Sequence, residues 1–248
     1  MTYRKTLAAS LFSIAGSGLL PQTHAGEGSL PILERMPEAL ELAFAKSAAP
    51  PHIREGVSVW LLDPAQGYYL AEQGSNGVEC LVSRTAYERA DFRDDIYVPL
   101  CYDAAGSATY LKVLRDVADL RISGMGPDEL RAEIDSRYDD GTYSPPDKAG
   151  LSYMVAPIMR TWTLPDMNVH ARPMPHLMYY APYVSDVDIA ASMSGDIRYP
   201  FIFKEGHAAQ SYMIHVASPD QQEDILDENS ALLASLCAYR DVLCSEAD

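Results

Sequence analysis

The chain has 248 residues, 48% of them hydrophobic, and its 35 acidic against 19 basic residues give a net charge of −16. That charge repels phosphate backbones and anionic lipid surfaces, which disfavours nucleic-acid and membrane-surface roles. The length suits one sizeable domain with its own core.

The N-terminus reads as a secretory leader. Arg4 and Lys5 precede the apolar run Leu7–Leu20, and Thr23-His-Ala25 closes it with the small residues of a cleavage site. The run falls short of the roughly 20 residues that a permanent bilayer span needs, and Gly16, Ser17 and Gly18 interrupt it. Residues 1–25 are therefore expected to be a signal peptide and 26–248 a single α+β domain of 223 residues. Cleavage would remove two basic residues and no acid, taking the net charge from −16 to −18. The expected location is secreted or periplasmic.

Leu33, Met36, Leu40, Ala43 and Phe44 recur at helical spacing, with Glu34, Glu38 and Glu41 on the other side, until Pro50-Pro51 stops the helix. Val57–Leu62, Tyr68–Glu72 and Val78–Ser83 read as a three-stranded meander, turned at Gly67 and at Gly74-Ser-Asn-Gly77. A charged connection, Arg84–Tyr97, leads to a fourth strand at Val98–Asp103. A helix from Ser107 to Ile122 and another from Pro127 through Leu130, Ile134 and Tyr138 form a helical hairpin, too short for a core of its own. Strands follow at Leu151–Val155, Arg160–Leu164 and Leu177–Ala181, then a short helix at Ser185–Ala191. Phe201–Phe203 and Ser211–Val216 form a hairpin whose loop carries His207, and a helix from Asp227 to Leu243 ends the chain. With no regular βαβ alternation, the expected class is α+β: an antiparallel β-sheet core with an inserted helical hairpin and terminal helices.

An exported chain with an even number of cysteines is expected to form disulfides. Three pairings of Cys80, Cys101, Cys237 and Cys244 are possible, and Cys80–Cys101 with Cys237–Cys244 is preferred. Seven residues along a continuous helix span about 10.5 Å. A disulfide needs Cα atoms within about 7 Å, so the second bond requires the last helical turn to unwind.

Four segments, Asn76-Gly-Val-Glu-Cys80, Pro99-Leu-Cys101-Tyr-Asp103, Gly150-Leu-Ser-Tyr-Met154 and Pro175-His-Leu-Met178, together resemble a group of uncharacterised exported bacterial proteins. The resemblance runs from about Ala48 to Val216 and implies these element boundaries and export. It implies no activity, cofactor or catalytic residue.

The residues with chemistry gather in the C-terminal half. Residues two apart on a strand share a face, so Met174, His176 and Met178 would align two thioethers and an imidazole, a set suited to Cu(I). Seven of the ten methionines lie after residue 150, and methionines also fill irregular core gaps. His215, two residues after Met213, would bring a second such strand. His170, His176, His207 and His215 with Asp186 or Asp188 would make a zinc cluster, although none of their spacings is diagnostic. A Cys80 or Cys101 nucleophile paired with His176 ranks below a structural disulfide. Asp103, Asp186 and Glu205 are candidate carboxylates for glycoside chemistry. Tyr153, Tyr179 and Tyr180, with His207, are candidate ligand-contacting residues, set against ordinary sheet packing of aromatics. The favoured function is binding of a small ligand or an envelope-associated role. The alternatives are a hydrolase using His176 and His215, with or without a metal, and a copper-handling protein using Met174, His176 and Met178. The expected partner is a small molecule or metal ion, and no pattern points to a particular cofactor.

Overall fold

The structure, a computed structural model, describes residues 31–163, 166–192, 199–209 and 212–245, with the backbone alone at residues 203 and 212–215. The expected signal peptide lies outside these residues. The first helix, α1 (Glu38–Ser47), starts later than its periodicity predicts because Pro37, with ψ 127°, stands in extended backbone at its N-cap. Leu33 and Met36 are nonetheless buried, in an extended lead-in. Two buried arginines hold that lead-in: Arg84 Nη1 donates to the Glu34 carbonyl (3.2 Å) and Arg121 Nη2 to the Pro31 carbonyl (2.9 Å). After α2 (Pro51–Arg54) the chain enters its main sheet.

β1 (Ser58–Asp63) and β2 (Gly67–Glu72) form a hairpin whose turn residue Gly67 has φ +92°, a conformation that favours glycine. The expected meander ends there. β3 (Glu79–Ser83) does not return beside β2; it lies on the other side of β1 and runs parallel to it. The connection causes this: Ser75 and Asn76 both donate to the Gly56 carbonyl, folding residues 74–77 across the start of β1. Gly74 is pressed against the Gly56–Ser58 backbone, where a Cβ would have no room. β4 (Val98–Tyr102) then pairs antiparallel with β3, placing Cys80 directly across from Cys101, and the two are bonded.

The helical insertion is α3 (Ala104–Ala108), α4 (Tyr110–Ile122) and α5 (Pro127–Asp139). The helix expected from Ser107 is thus two, and Asp103 caps the first, α3, accepting from the Ala105 and Gly106 amides. β5 (Leu151–Met154) returns beside β4. β6 (Met159–Thr163) and β7 (Asn168–Arg172) form a separate hairpin, joined to the loop before β4 by the Tyr97–Arg160 bridge and by Arg160 on Asp95 (2.7 Å). β8 (His176–Tyr180) rejoins the main sheet, followed by α6 (Asp186–Ile189), β9 (Ile202–Phe203) and β10 (Tyr212–Val216). The strand order is β2-β1-β3-β4-β5-β8-β10-β9, antiparallel at every pairing except β1–β3.

The final helix expected over Asp227–Leu243 is two, α7 (Pro219–Glu228) and α8 (Ser230–Tyr239), divided at Asn229. Arg240 leaves helical geometry and a 3-10 turn follows, so the chain unwinds and brings Cys244 back to bond Cys237. One sheet face packs Val59, Leu61, Cys80, Val82 and Cys101 against Phe44 and Ala45 of α1 and Leu236 of α8. The other packs Leu81, Leu100, Tyr102, Met154 and Tyr180 against Tyr110, Leu111 and Leu114 of α4. Helices therefore cover both faces of an α+β fold. Among the described residues, no helix is long and apolar enough to cross a membrane.

Candidate functional site

Pro173 and Pro175 lack backbone N–H groups, so β8 begins only at His176. β8 pairs with β5 in the register Met154↔His176, Tyr153↔Leu177, Ser152↔Met178 and Leu151↔Tyr179. Alternation then puts His176, Met178 and Tyr180 on the same face as Met154 and Ser152, with Leu177, Tyr179 and Tyr153 on the other. Directly opposed residues bring their Cβ atoms to about 5 Å. Met154, Met159, Met174 and Met178 all belong to one apolar cluster on the His176 side.

His176 is 4% exposed, and its Nδ1 lies 2.7 Å from the Met174 carbonyl oxygen. A carbonyl only accepts, so Nδ1 carries the hydrogen and the ring's lone pair sits on Nε2. Burial holds the imidazole pKa below its ordinary 6.5, against the opposing pull of the Met174 bond. Among the described residues no hydrogen bond to Nε2 is found, and Nε2 is not one of the fully buried side-chain atoms left without a partner. Ser152, fully buried, has its Oγ unpartnered among the described residues.

Tyr180 fixes the far end of β8. Its hydroxyl lies 2.9 Å from both Asp103 Oδ1 and the Leu151 carbonyl. Asp103 also accepts from the amides of Ala105, Gly106 and Leu151, so its carboxylate is committed to joining β4, α3, β5 and β8. Gly106 and Gly150 make that approach possible, since a Cβ at either would collide with the Tyr180 ring system or the Asp103 carboxylate. The Tyr180 ring stands edge-on to Tyr110, centroids 5.2 Å apart. Burial first, then the Asp103 charge, drive the Tyr180 pKa far above the ordinary phenol value.

The remaining candidates lie elsewhere. Tyr179 is exposed on the opposite face, and Tyr153 packs partly buried against the α1–α8 core. His207 Nδ1 accepts from the Ala209 amide (2.9 Å), and its ring stands edge-on to Tyr138 of α5. His170, on β7, bonds Asp166 (3.0 Å). His215 pairs through its backbone with Leu177, one register position from His176, and its side chain is outside the described residues. Asp188 caps Ser185, and Glu205 accepts from the Asp186 amide. The described imidazoles thus occupy separate elements, and among the described residues no three His, Cys, Asp or Glu side chains gather to hold a metal. All four cysteines are oxidised, which leaves no thiolate nucleophile.

Two recesses occur near the opposite end of the sheet. A crevice lined by Leu33, Leu62, Tyr68 and Arg84 has no room for water. A shallow surface groove of about 340 Å³ at the β1–β2 turn is spanned by Arg35, 3.4 Å from both Asp63 and the Tyr69 hydroxyl. Glu41, 2% exposed, accepts from the amide of Leu62, a residue that lines the crevice (3.0 Å). Its carboxyl is pushed up to about 7 by burial, against the Leu62 bond and the Arg84 and Arg35 charges.

In the sequence, Met154 and Met159 are only two of the seven methionines after residue 150 and Ser152 has no distinguishing context; strand register is what brings Ser152 and Met154 to His176. Comparison with protein-family models, with curated proteins and with solved structures found no match.

Proposed function

We propose that the protein is an exported small-ligand-binding protein whose binding centre is His176 on the methionine-lined face of β5 and β8. The observation that carries this reading is the buried, unpartnered Ser152 Oγ on the same face of adjacent strands as His176, whose Nδ1 bond to the Met174 carbonyl leaves the lone pair on Nε2. Buried polar atoms are normally bonded, and leaving one unpaired costs about 1–3 kcal/mol. A small occupant of this face, between Ser152 and His176 two register positions away, would give that hydroxyl its partner. Export is supported by the basic, apolar and small-residue order of the first 25 residues and by the two disulfides.

Ser152 beside His176 also favours a second reading, a serine hydrolase. It ranks lower because the Ser152 hydroxyl is sealed from solvent and Nδ1 is held by a carbonyl rather than a carboxylate. The test is imidazole ¹⁵N NMR of the ligand-free protein at pH 6.5. The proposal expects His176 as the neutral tautomer with hydrogen on Nδ1 and a bare Nε2. An imidazolium, or hydrogen on Nε2, would remove the binding centre.

A further inference from the structure

We infer that the occupant of this face is a monovalent soft metal ion, Cu(I), ligated by His176 Nε2 and the thioethers of Met154 and Met178. The inference rests on the reading of His176 as the binding centre and names its ligand. Met154 is the direct cross-strand partner of His176, and Met178 lies two residues along the same strand on the same face. Two residues of strand advance about 7 Å, and a methionine side chain with three rotatable bonds closes that span easily. Backbone register therefore puts all three residues on one face, within side-chain reach of a common point. Met174 brings a third thioether beside those of Met154 and Met178 in the same cluster, and its carbonyl is the group that orients the imidazole.

Donor chemistry selects the ion. Ca²⁺ and Mg²⁺ take oxygen, and structural Zn²⁺ sites use thiolates and imidazoles in sets of four. Neutral thioether sulfur with a neutral imidazole suits Cu(I). A metal-bound histidine commonly donates its other N–H to a backbone carbonyl, which fixes the tautomer, and the Nδ1 bond to Met174 is that arrangement already in place. Ordinary core packing accounts for the methionines alone; it does not account for an imidazole 4% exposed among them, oriented by the Met174 carbonyl, or for the unpartnered Ser152 hydroxyl on the same face. The route in is short. Val216, across from His176 on the other neighbouring strand, is 41% exposed, and Met174 and Met178 are only partly buried. The excess of acidic residues raises the local concentration of cations.

The experiment is an anaerobic titration of the purified full chain with Cu(I) in competition with bicinchoninate, followed by copper-edge X-ray absorption. The expected result is one equivalent bound, with both sulfur and nitrogen neighbours. His176→Gln, Met154→Leu and Met178→Leu should each weaken binding at least about tenfold, the low end of what even outer-shell changes cost at metal sites. Met125→Leu, in the separate cluster beside α5, should leave affinity unchanged. Near-isosteric leucine keeps the core filled, and circular dichroism with a thiol assay confirms that each variant is folded and oxidised. Absence of Cu(I) binding, or equal binding by the wild type and all three variants, overturns the inference. Imidazole NMR on the same sample separates the two failures: a bare Nε2 without Cu(I) affinity sinks the metal alone, and a protonated Nε2 sinks the centre as well.

Discussion

Glutamine in place of Glu41 should stabilise the protein at pH 8 and leave it nearly unchanged at pH 4. The carboxyl is 2% exposed, accepts one amide hydrogen bond from Leu62, and titrates at about 7 against an ordinary 4.5. A folded-state pKa above the unfolded one means the native chain binds more protons between those values. Glu41 therefore stabilises the fold fully below pH 4.5 relative to alkaline conditions, and that contribution is lost as pH rises through 7. At 1.36 kcal/mol per unit, the shift is worth about 3 kcal/mol at pH 8. Glutamine keeps the oxygen that accepts from Leu62 and carries no charge to bury. Reversible urea unfolding of both chains at pH 4 and pH 8 measures it, with an expected midpoint difference near 1 M at pH 8 for an m of about 3 kcal/mol/M. A difference that does not change with pH would show that Glu41 is ionised in the native state, paired with Arg84, and would refute the argument.

Three further outcomes are expected. Cys237→Ser with Cys244→Ser should lower stability by about 2.5 kcal/mol through the reopened loop, measured by urea unfolding, and leave the Cys80–Cys101 bond intact on a peptide map. Gly150→Ala should cost about 1–3 kcal/mol, because the added methyl meets the Asp103 carboxylate and the Tyr180 ring; thermal unfolding unchanged from wild type would contradict the Asp103–Tyr180 lock. Arg84→Met should cost at least about 3 kcal/mol by stranding the carbonyls of Glu34, Asp94 and Ile96, and should speed proteolysis of the lead-in before α1.

Local signals in the sequence carry most of the elements. The apolar run of β1, the helical stripe of α4, Pro127 at the first position of α5 and the prolines before β8 each predict an element that exists. Elements defined by distant partners are less visible. β7 reads Asn-Val-His-Ala-Arg, with little β-branched character, and follows a turn at Met167 with φ +56°, so only pairing with β6 makes it a strand. The parallel β1–β3 pair depends on how residues 74–77 cross Gly56, which no periodicity records. α7 had a legible marker: Ser218 and Gln221 form a capping box around Pro219. For the site, spacing alone puts His176 and Met178 on one face. Met154 and Ser152 join them only through a register set between strands more than twenty residues apart. The tautomer that leaves the lone pair on Nε2 follows from the Met174 carbonyl bond, a local fold at Pro175 that composition does not encode.

Anomalous X-ray diffraction from crystals soaked in Ag(I), the redox-stable analogue of Cu(I), tests the central claim most directly. The account predicts one dominant peak within bonding distance of His176 Nε2, Met154 Sδ and Met178 Sδ, absent in His176→Gln crystals. Silver found only at other methionines, with that space unoccupied, would contradict it.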